Sequence, residues 1–288
     1  PRSWVDRINE AYDQLWVPTE WIADNARRGG VDDDKIRVVP YGFDPVLFRP
    51  DGPTAALATD RRFKFLFVGG TVIRKGFDLL VEAYRRAFDA NDDVALVIKG
   101  HSANMFYEDS PFEREIIELS DDPTTADVVH LDEHLSEADL AALYRACDVA
   151  VWPYRAEGFL MPALESAACG TPVMVPEIGP TADFTSARSA FLLPAMRIRL
   201  PLHRTFRMRL GFDIDVDEID VVEVRVDDLA ATMRTAYETS KLVMTEKSTH
   251  GLAIAHAAFT WEHAVDRVDA CLRELLGDGT PQADERRP

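Results

Sequence analysis

The chain has 288 residues, enough for one large or two ordinary domains, and 47% of them are hydrophobic against 28% charged, the balance of a globular protein with a sizeable core. A net charge of −18 argues against nucleic acid as a partner, so an anionic substrate would have to be held by local basic groups and backbone N–H donors. No apolar run is long enough to span a bilayer, no signal peptide is visible, and Cys147, Cys169 and Cys271 are too scattered for a metal pattern. All three cysteines fall in helical, apolar contexts, which predicts small buried thiols in a reducing cytoplasm. The chain starts at Pro1, inside an apparent helix, so the front of a longer protein is expected to be missing.

Residues 3–12 read as an amphipathic helix capped by Ser3, 14–18 as a short strand, and 19–30 as a helix started by Thr19 and stopped by two glycines. Residues 35–44 are a strand ending in a turn, and 51–61, with Gly52, Pro53 and Asp60, read as a linker. From Arg62 a regular alternation begins. Strands are predicted at 63–68, 94–99, 128–131, 149–152 and 173–176, and helices at 77–88, 112–119, 137–147 and 162–169. Such alternation argues for a parallel sheet covered on both faces, with ligands at the carboxyl ends of its strands. Beyond residue 195 the pattern changes. Arg197, Arg199, His203, Arg204, Arg207 and Arg209 cluster, followed by Asp213, Asp215, Asp217, Glu218, Asp220 and Glu223. Residues 196–200 and 206–210 alternate like a strand pair. The segment is either a basic lip for an anion or a surface hairpin whose basic and acidic parts pair. Helices are expected at 227–238 and 246–258, with a last one capped by Thr260, and the polar end of the chain reads as a frayed tail.

The stretch Glu157-Gly158-Phe159-Leu160-Met161-Pro162-Ala163-Leu164-Glu165 follows an apolar strand and runs into Ser166-Ala167-Ala168-Cys169-Gly170. It reads as strand, tight turn and helix, with Pro162 at the first helical position and Gly170 as the stop. The N–H groups of that helix start make an anion site. The two glutamates are eight positions apart, about 12 Å of helical rise, which suits gripping two ends of an elongated ligand with an anionic middle. Gly69-Gly70-Thr71-Val72-Ile73-Arg74-Lys75-Gly76 follows the first strand of the alternation and pairs close backbone approach with two positive charges. His101 and His134 are loop histidines with no catalytic assignment.

Two glutamates at this spacing, Gly158-Phe159 after the first, Pro162 inside, and a small-residue helix ending Cys169-Gly170-Thr171-Pro172-Val173 together resemble the signature of retaining GT-B glycosyltransferases of family 4. Val38-Val39-Pro40-Tyr41-Gly42-Phe43-Asp44 is similar to the family's crossing between domains, and Phe259-Thr260-Trp261-Glu262 to the start of its terminal helix. Two positions depart from the pattern: Leu160 stands where the family usually has a second Gly, and Gly70 where it often has a second basic residue, a place Arg74 would fill.

The resemblance implies an α/β fold, a Rossmann-like parallel sheet with helices on both faces, forming the C-terminal half of a GT-B fold. Residues 1–50 would be the end of an N-terminal acceptor-side domain and the crossover, 51–61 the linker, 62–275 the donor-binding domain with an insertion at 196–225, and 276–288 a flexible tail. It implies hexosyl transfer from a nucleotide-sugar to an acceptor hydroxyl with retention of configuration. Lys75 and Arg74 would meet the leaving diphosphate, Glu157 the sugar and Glu165 the ribose. Gly69, Gly70, Thr71, Lys99, His134, Leu135, Gly158, Phe159, Leu160, Gly179 and Thr181 would complete the donor site. No metal or cofactor is expected, and the acceptor, whether sugar, lipid or protein, is open. Without the rest of the N-terminal domain the chain should be inactive and prone to self-association through Trp4, Trp16 and Trp21; the full-length protein is expected in the cytoplasm or peripherally at the membrane. The rival readings are a non-catalytic nucleotide-sugar-binding or scaffold domain, supported by Leu160 and Gly70, and an epimerase or phosphorylase on a similar fold.

Overall fold

A computed structural model describes residues 1–100, 112–201 and 218–276. His101, His203, Arg204, Arg207, Arg209, Asp213, Asp215, Asp217, the predicted strand at 206–210 and nearly all of the predicted tail lie outside the described residues.

The body of the fold is a parallel sheet of β3 (Phe63–Val68), β4 (Val94–Lys99), β5 (Asp127–Leu131), β6 (Val149–Val151), β7 (Val173–Pro176) and β8 (Ala190–Leu193), in the order β5-β4-β3-β6-β7-β8. Strands such as Val-Ala-Leu-Val-Ile-Lys in β4, buried along their whole length, are near-continuously apolar because a parallel sheet is covered on both sides. The cover is α3 (Phe77–Ala87), α4 (Glu113–Asp121), α5 (Glu137–Arg145), α6 (Met161–Ala168), α7 (Val226–Glu238) and α8 (Lys241–Ala258). Right-handed crossovers put the helices that follow β3 and β6 on opposite faces, since the chain leaves those strands in opposite directions. Accordingly α3 packs on α7, and α6 packs on α5 and α8.

The core between these layers is aromatic, with Trp152, Tyr84, Tyr144 and Tyr154 fully enclosed. Their polar tips are satisfied: the Trp152 indole donates to Val68 O at 2.9 Å and the Tyr84 hydroxyl to Asp127 O at 2.9 Å. Cys147, Cys169 and Cys271 are all buried, as their apolar settings predict.

Ahead of the sheet, α1 (Arg2–Ala11), β1 (Leu15–Val17), α2 (Glu20–Gly29) and β2 (Ile36–Val38) form a small unit with a core of Val17, Ala23, Val31 and Ile36. Thr19 caps α2, accepting from Ile22 N at 3.3 Å, and Gly30 ends it at φ 100°. An antiparallel hairpin, β9 (Ala195–Pro201) and β10 (Glu218–Val224), follows β8, and α9 (Trp261–Leu276) closes the described chain. Among the described residues no helix is long and apolar enough to cross a membrane.

Three details depart from the sequence reading. Ser3 is not a cap, because α1 already begins at Arg2 after Pro1. Helix α6 begins at Met161, so Pro162 is its second residue rather than its first, while Glu157 sits in the turn ahead of the helix as expected. Strand β9 pairs with β10, while the alternating run at 206–210 expected beside it lies outside the described residues. Trp21 is covered by the Arg197 guanidinium at 3.9 Å, whereas Trp4 and Trp16 are 54% and 38% exposed. In the described part of the insertion the basic residues pair: Arg199 sits 2.9 Å from Asp220, and Arg197 sits 3.2 Å from Asp24.

Candidate donor site at the strand-order switch

The chain runs outward from β3 through β4 to β5, then returns to lay β6 on the other side of β3. Between β3 and β6 the order reverses, and in open α/β sheets the crevice at that point, at the carboxyl ends, is where ligands bind. Two loops flank it: residues 69–76 after β3 and residues 152–160 after β6. The Trp152 indole on Val68 O ties their roots together.

The first loop is built for close packing. Gly69 has φ 137°, and a Cβ there would stand 3.3 Å from the Lys75 stem. A one-turn helix, Ile73–Lys75, then ends at Gly76 with φ 72°. A Cβ on Gly76 would lie 1.9 Å from Pro153 O in the opposite loop, so the position demands glycine both for its dihedral and for its space. The turn delivers two cations to one carboxylate oxygen. Lys75 Nζ is 2.7 Å from Glu157 Oε1 and Arg74 Nη1 is 3.1 Å from the same atom. Arg74 Nη1 also donates to Ala156 O at 2.7 Å. Lys75 and Glu157 are largely enclosed, with side chains 12% and 11% exposed. Two positive groups and one negative leave this cluster one unit positive.

Gly69, Gly70, Lys75, Lys99, His134 and Leu135 line one cleft of about 330 Å³, which brings together six of the expected site residues. Lys99, the last residue of β4, is buried and donates to Gly100 O at 2.5 Å. Burial lowers its affinity for a proton, while nearby Asp132 and Glu133 pull it back up. Thr71 is buried in the same loop.

The turn before α6 is held by its own side chains. Phe159 packs its ring on Tyr41, Phe184 and Phe259 at centroid distances of 5.4, 5.5 and 6.2 Å. Leu160 is 4% exposed and part of the same core, with φ 72° and ψ 65°. Both side chains are therefore turned to the core, and the Leu160 Cβ does not narrow the crevice. Helix α6 has no side-chain cap and no acidic residue in its first turn, but Pro162 has no N–H and Ala163 N donates to Leu160 O at 3.0 Å, so the helix start favours an anion through its dipole rather than through a row of free N–H groups. Glu165 lies farther along α6 against α5, where Oε2 accepts from the Tyr144 hydroxyl at 2.9 Å. Its burial raises the carboxyl above the ordinary glutamate range, although the tyrosine bond works the other way. Thr181 is fully enclosed, 2.7 Å from the Tyr154 hydroxyl, and a Cβ on Gly179 would meet that hydroxyl at 2.6 Å. These two residues brace Tyr154 rather than join the cleft.

Sequence reading took Thr19 only as a cap. Its hydroxyl also donates to Gly158 O at 3.1 Å, and Glu20 N donates to Asp183 Oδ2 at 2.9 Å, so the start of α2 is pinned to the Glu157 turn. The partners are 139 and 163 positions away, and no local pattern announces them. Among the described residues no three His, Cys, Asp or Glu side chains are grouped to hold a metal ion.

Residues 54–194 match the family model described as glycosyl transferases group 1, just under half of the chain. The MMP alpha-(1->4)-mannosyltransferase of Mycolicibacterium hassiacum is 27% identical over 242 residues, covering 84% of this chain and 51% of the relative. The D-inositol 3-phosphate glycosyltransferase of Stackebrandtia nassauensis is 34% identical over 157 residues, covering 51% of this chain and 34% of the relative. The chain thus spans about a third to a half of the length of these relatives. Anabaena HepE, solved in complex with UDP and glucose, superposes with a TM-score of 0.70 at 17% identity, covering 95% of this chain and 66% of that one, a likeness of fold. Residues 54–194 thus carry the group 1 pattern, and the structural neighbours share the fold.

Proposed function

We propose that this chain is the donor-binding half of a retaining glycosyltransferase of family 4, moving a hexosyl unit from a nucleotide-sugar to an acceptor hydroxyl. The observation that carries the proposal is the convergence of Lys75 and Arg74 on Glu157 Oε1 at the strand-order switch, beside the uncapped start of α6. Lys75 and Arg74 would take the charge that develops on the leaving diphosphate, the kind of fixed electrostatic help that is usually the largest catalytic contribution. Glu157, released from those cations by the arriving phosphate, would accept from sugar hydroxyls near the reacting carbon. Glu165 would hold the ribose. Fixed positive groups do here what a metal ion would do on the diphosphate, so no cofactor is part of the reading. Relatives whose names are those of a mannosyltransferase and an inositol phosphate glycosyltransferase, and a neighbour holding UDP and glucose, support the choice of donor class. The scaffold reading loses part of its support, because Leu160 points its side chain into the core.

Binding needs only this wall of the cleft, whereas transfer needs an acceptor and water exclusion. The chain alone is expected to bind a nucleoside diphosphate with Kd on the order of 0.1–1 mM, roughly 4–5.5 kcal/mol, and to transfer nothing. Ligand-observed NMR against uridine, guanosine and adenosine diphosphates tests this; a folded chain that binds none of the three refutes it. In the full-length enzyme, Lys75→Ala should lower turnover by about 10²–10³-fold.

A further inference from the structure

Arg155 stands two residues before Glu157 and has no place in the roles above. Its side chain is only 14% exposed. The guanidinium makes a two-pronged bond to Asp78, with Nη1 to Oδ1 at 2.7 Å and Nη2 to Oδ2 at 2.9 Å. Nε reaches Glu223 Oε2 at 2.9 Å, and Nη1 also donates to Ile73 O at 2.8 Å. One side chain therefore joins the turn carrying Arg74 and Lys75, the first turn of α3, and β10. The backbone repeats the pattern: Arg155 N donates to Arg74 O at 2.9 Å, and Arg155 O accepts from Val222 N at 2.8 Å.

Two carboxylates more than neutralise this guanidinium, so it adds nothing to the pull on an anionic ligand. Its contacts are with the framework on every side. We infer that Arg155 is a positioning residue that locks the 73–75 turn against residues 155–157 of the loop after β6, so that Lys75 and Arg74 meet Glu157 on one oxygen. Lys75 and Glu157 come from loops 82 positions apart and each depends on a short turn for its placement. Through Glu223 the brace extends into the β9–β10 hairpin, whose Arg197 stacks on Trp21 and pairs with Asp24 while Asp220 meets Arg28 at 3.6 Å. The hairpin thereby links α2 to the Lys75–Glu157 cluster. A lysine at 155 has one charged atom and could not fill the fork, the Glu223 bond and the Ile73 carbonyl together.

The inference rests on the proposed donor-site reading, and the test separates the two. In the full-length enzyme, kcat, donor KM and thermal unfolding are measured for Arg155→Gln, Arg155→Lys and Glu223→Gln, each alone and with Lys75→Ala. Arg155→Gln should lower kcat by about 10–100-fold, the scale of an ångström-level misplacement, with donor KM within about threefold of the parent. Arg155→Lys should recover little of it, and Glu223→Gln, which keeps the Asp78 fork, should give a smaller loss of the same kind. With Lys75 already alanine, Arg155→Gln should cost less than about threefold, because the closer and more enclosed of the two cations that the brace aligns is gone. Unchanged kcat in Arg155→Gln, or an equal loss with and without Lys75, overturns the inference, as does unfolding of both Arg155→Gln and Glu223→Gln at assay temperature. If Lys75→Ala alone leaves turnover near normal, the donor-site reading falls, and the brace with it.

Discussion

Leu160 offers the sharpest test of how this turn is held. Among the described residues it is the one non-glycine with positive φ, at 72°. A left-handed conformation costs an L-residue roughly 1–2 kcal/mol, which by itself would favour glycine. The side chain argues the other way, since at 4% exposure it belongs to the main core, and removing a buried leucine down to its Cβ typically costs about 2–5 kcal/mol. Burial therefore outweighs strain. Leu160→Ala keeps the strain and loses the burial, for a net loss of about 2–5 kcal/mol. Leu160→Gly loses the same burial and releases the strain, but adds about 0.4–1 kcal/mol of chain entropy in the unfolded state. Glycine should therefore come out about 0.5–1 kcal/mol more stable than alanine and still below the parent. The expected order is Leu, Gly, Ala, the reverse of the last two at an ordinary buried site. Equilibrium urea unfolding with a shared m-value reads the three midpoints. Alanine as stable as glycine would mean the dihedral carries no strain; a glycine variant above the parent would mean that strain, not packing, dominates.

Two further outcomes are expected. Gly76→Ala should cost about 2–4 kcal/mol, combining a left-handed dihedral with a Cβ 1.9 Å from Pro153 O, and a urea-derived loss under about 1 kcal/mol would contradict the close approach of the two loops. For Glu165, a carboxyl raised in the fold contributes stability that is complete below its unfolded value near 4.5 and is lost as pH rises through the folded value, so Glu165→Gln should gain on the parent from pH 4 to 7, and a flat or opposite difference in unfolding free energy would refute it.

The parts of this fold that were legible are those set by local pattern. The apolar runs of β3, β4 and β7 have the same ends in sequence and structure, because a strand buried on both faces writes itself as an unbroken apolar run. Gly30, Gly76 and Gly170 all take positive φ at element ends, where glycine is the cheapest way out of a helix. Other features depend on residues far apart. Strand β8 is four residues behind a polar turn and takes its identity from β7 alongside it. Strand β9 pairs with β10, a partner that the alternation of residues 196–200 by itself does not name. Helix α6 starts at Met161 because Leu160 turns left-handed into the core, a conformation that a leucine does not advertise. Phe159 and Thr181 sit beside the crevice in sequence, yet Phe184 and Tyr154 draw their side chains inward. Lys75 and Glu157 were both singled out, but their meeting needs the jump of β6 across β3, which no stretch of sequence encodes.

The electrostatics of the crevice follow from how each cation is matched. The chain as a whole carries −18, so its overall field repels an anionic donor. Arg155 is absorbed by Asp78 and Glu223, and Lys99 faces Asp132 and Glu133. Arg74 and Lys75 differ in that two cations share a single carboxylate oxygen. Under the proposed reading, a diphosphate arriving there would take over partners that Glu157 has kept oriented and partly dry, so the cations would need little rearrangement to receive it. The gain would be the difference between phosphate and carboxylate as a partner, not the full strength of the new contacts, which is why the proposal expects this chain alone to bind only weakly. The displaced carboxylate would then be an acceptor in want of donors, and hydroxyl groups on a sugar beside the phosphate would supply them. On the proposed reading, attraction of the leaving group and grip on the transferred sugar would thus come from one exchange at one oxygen atom.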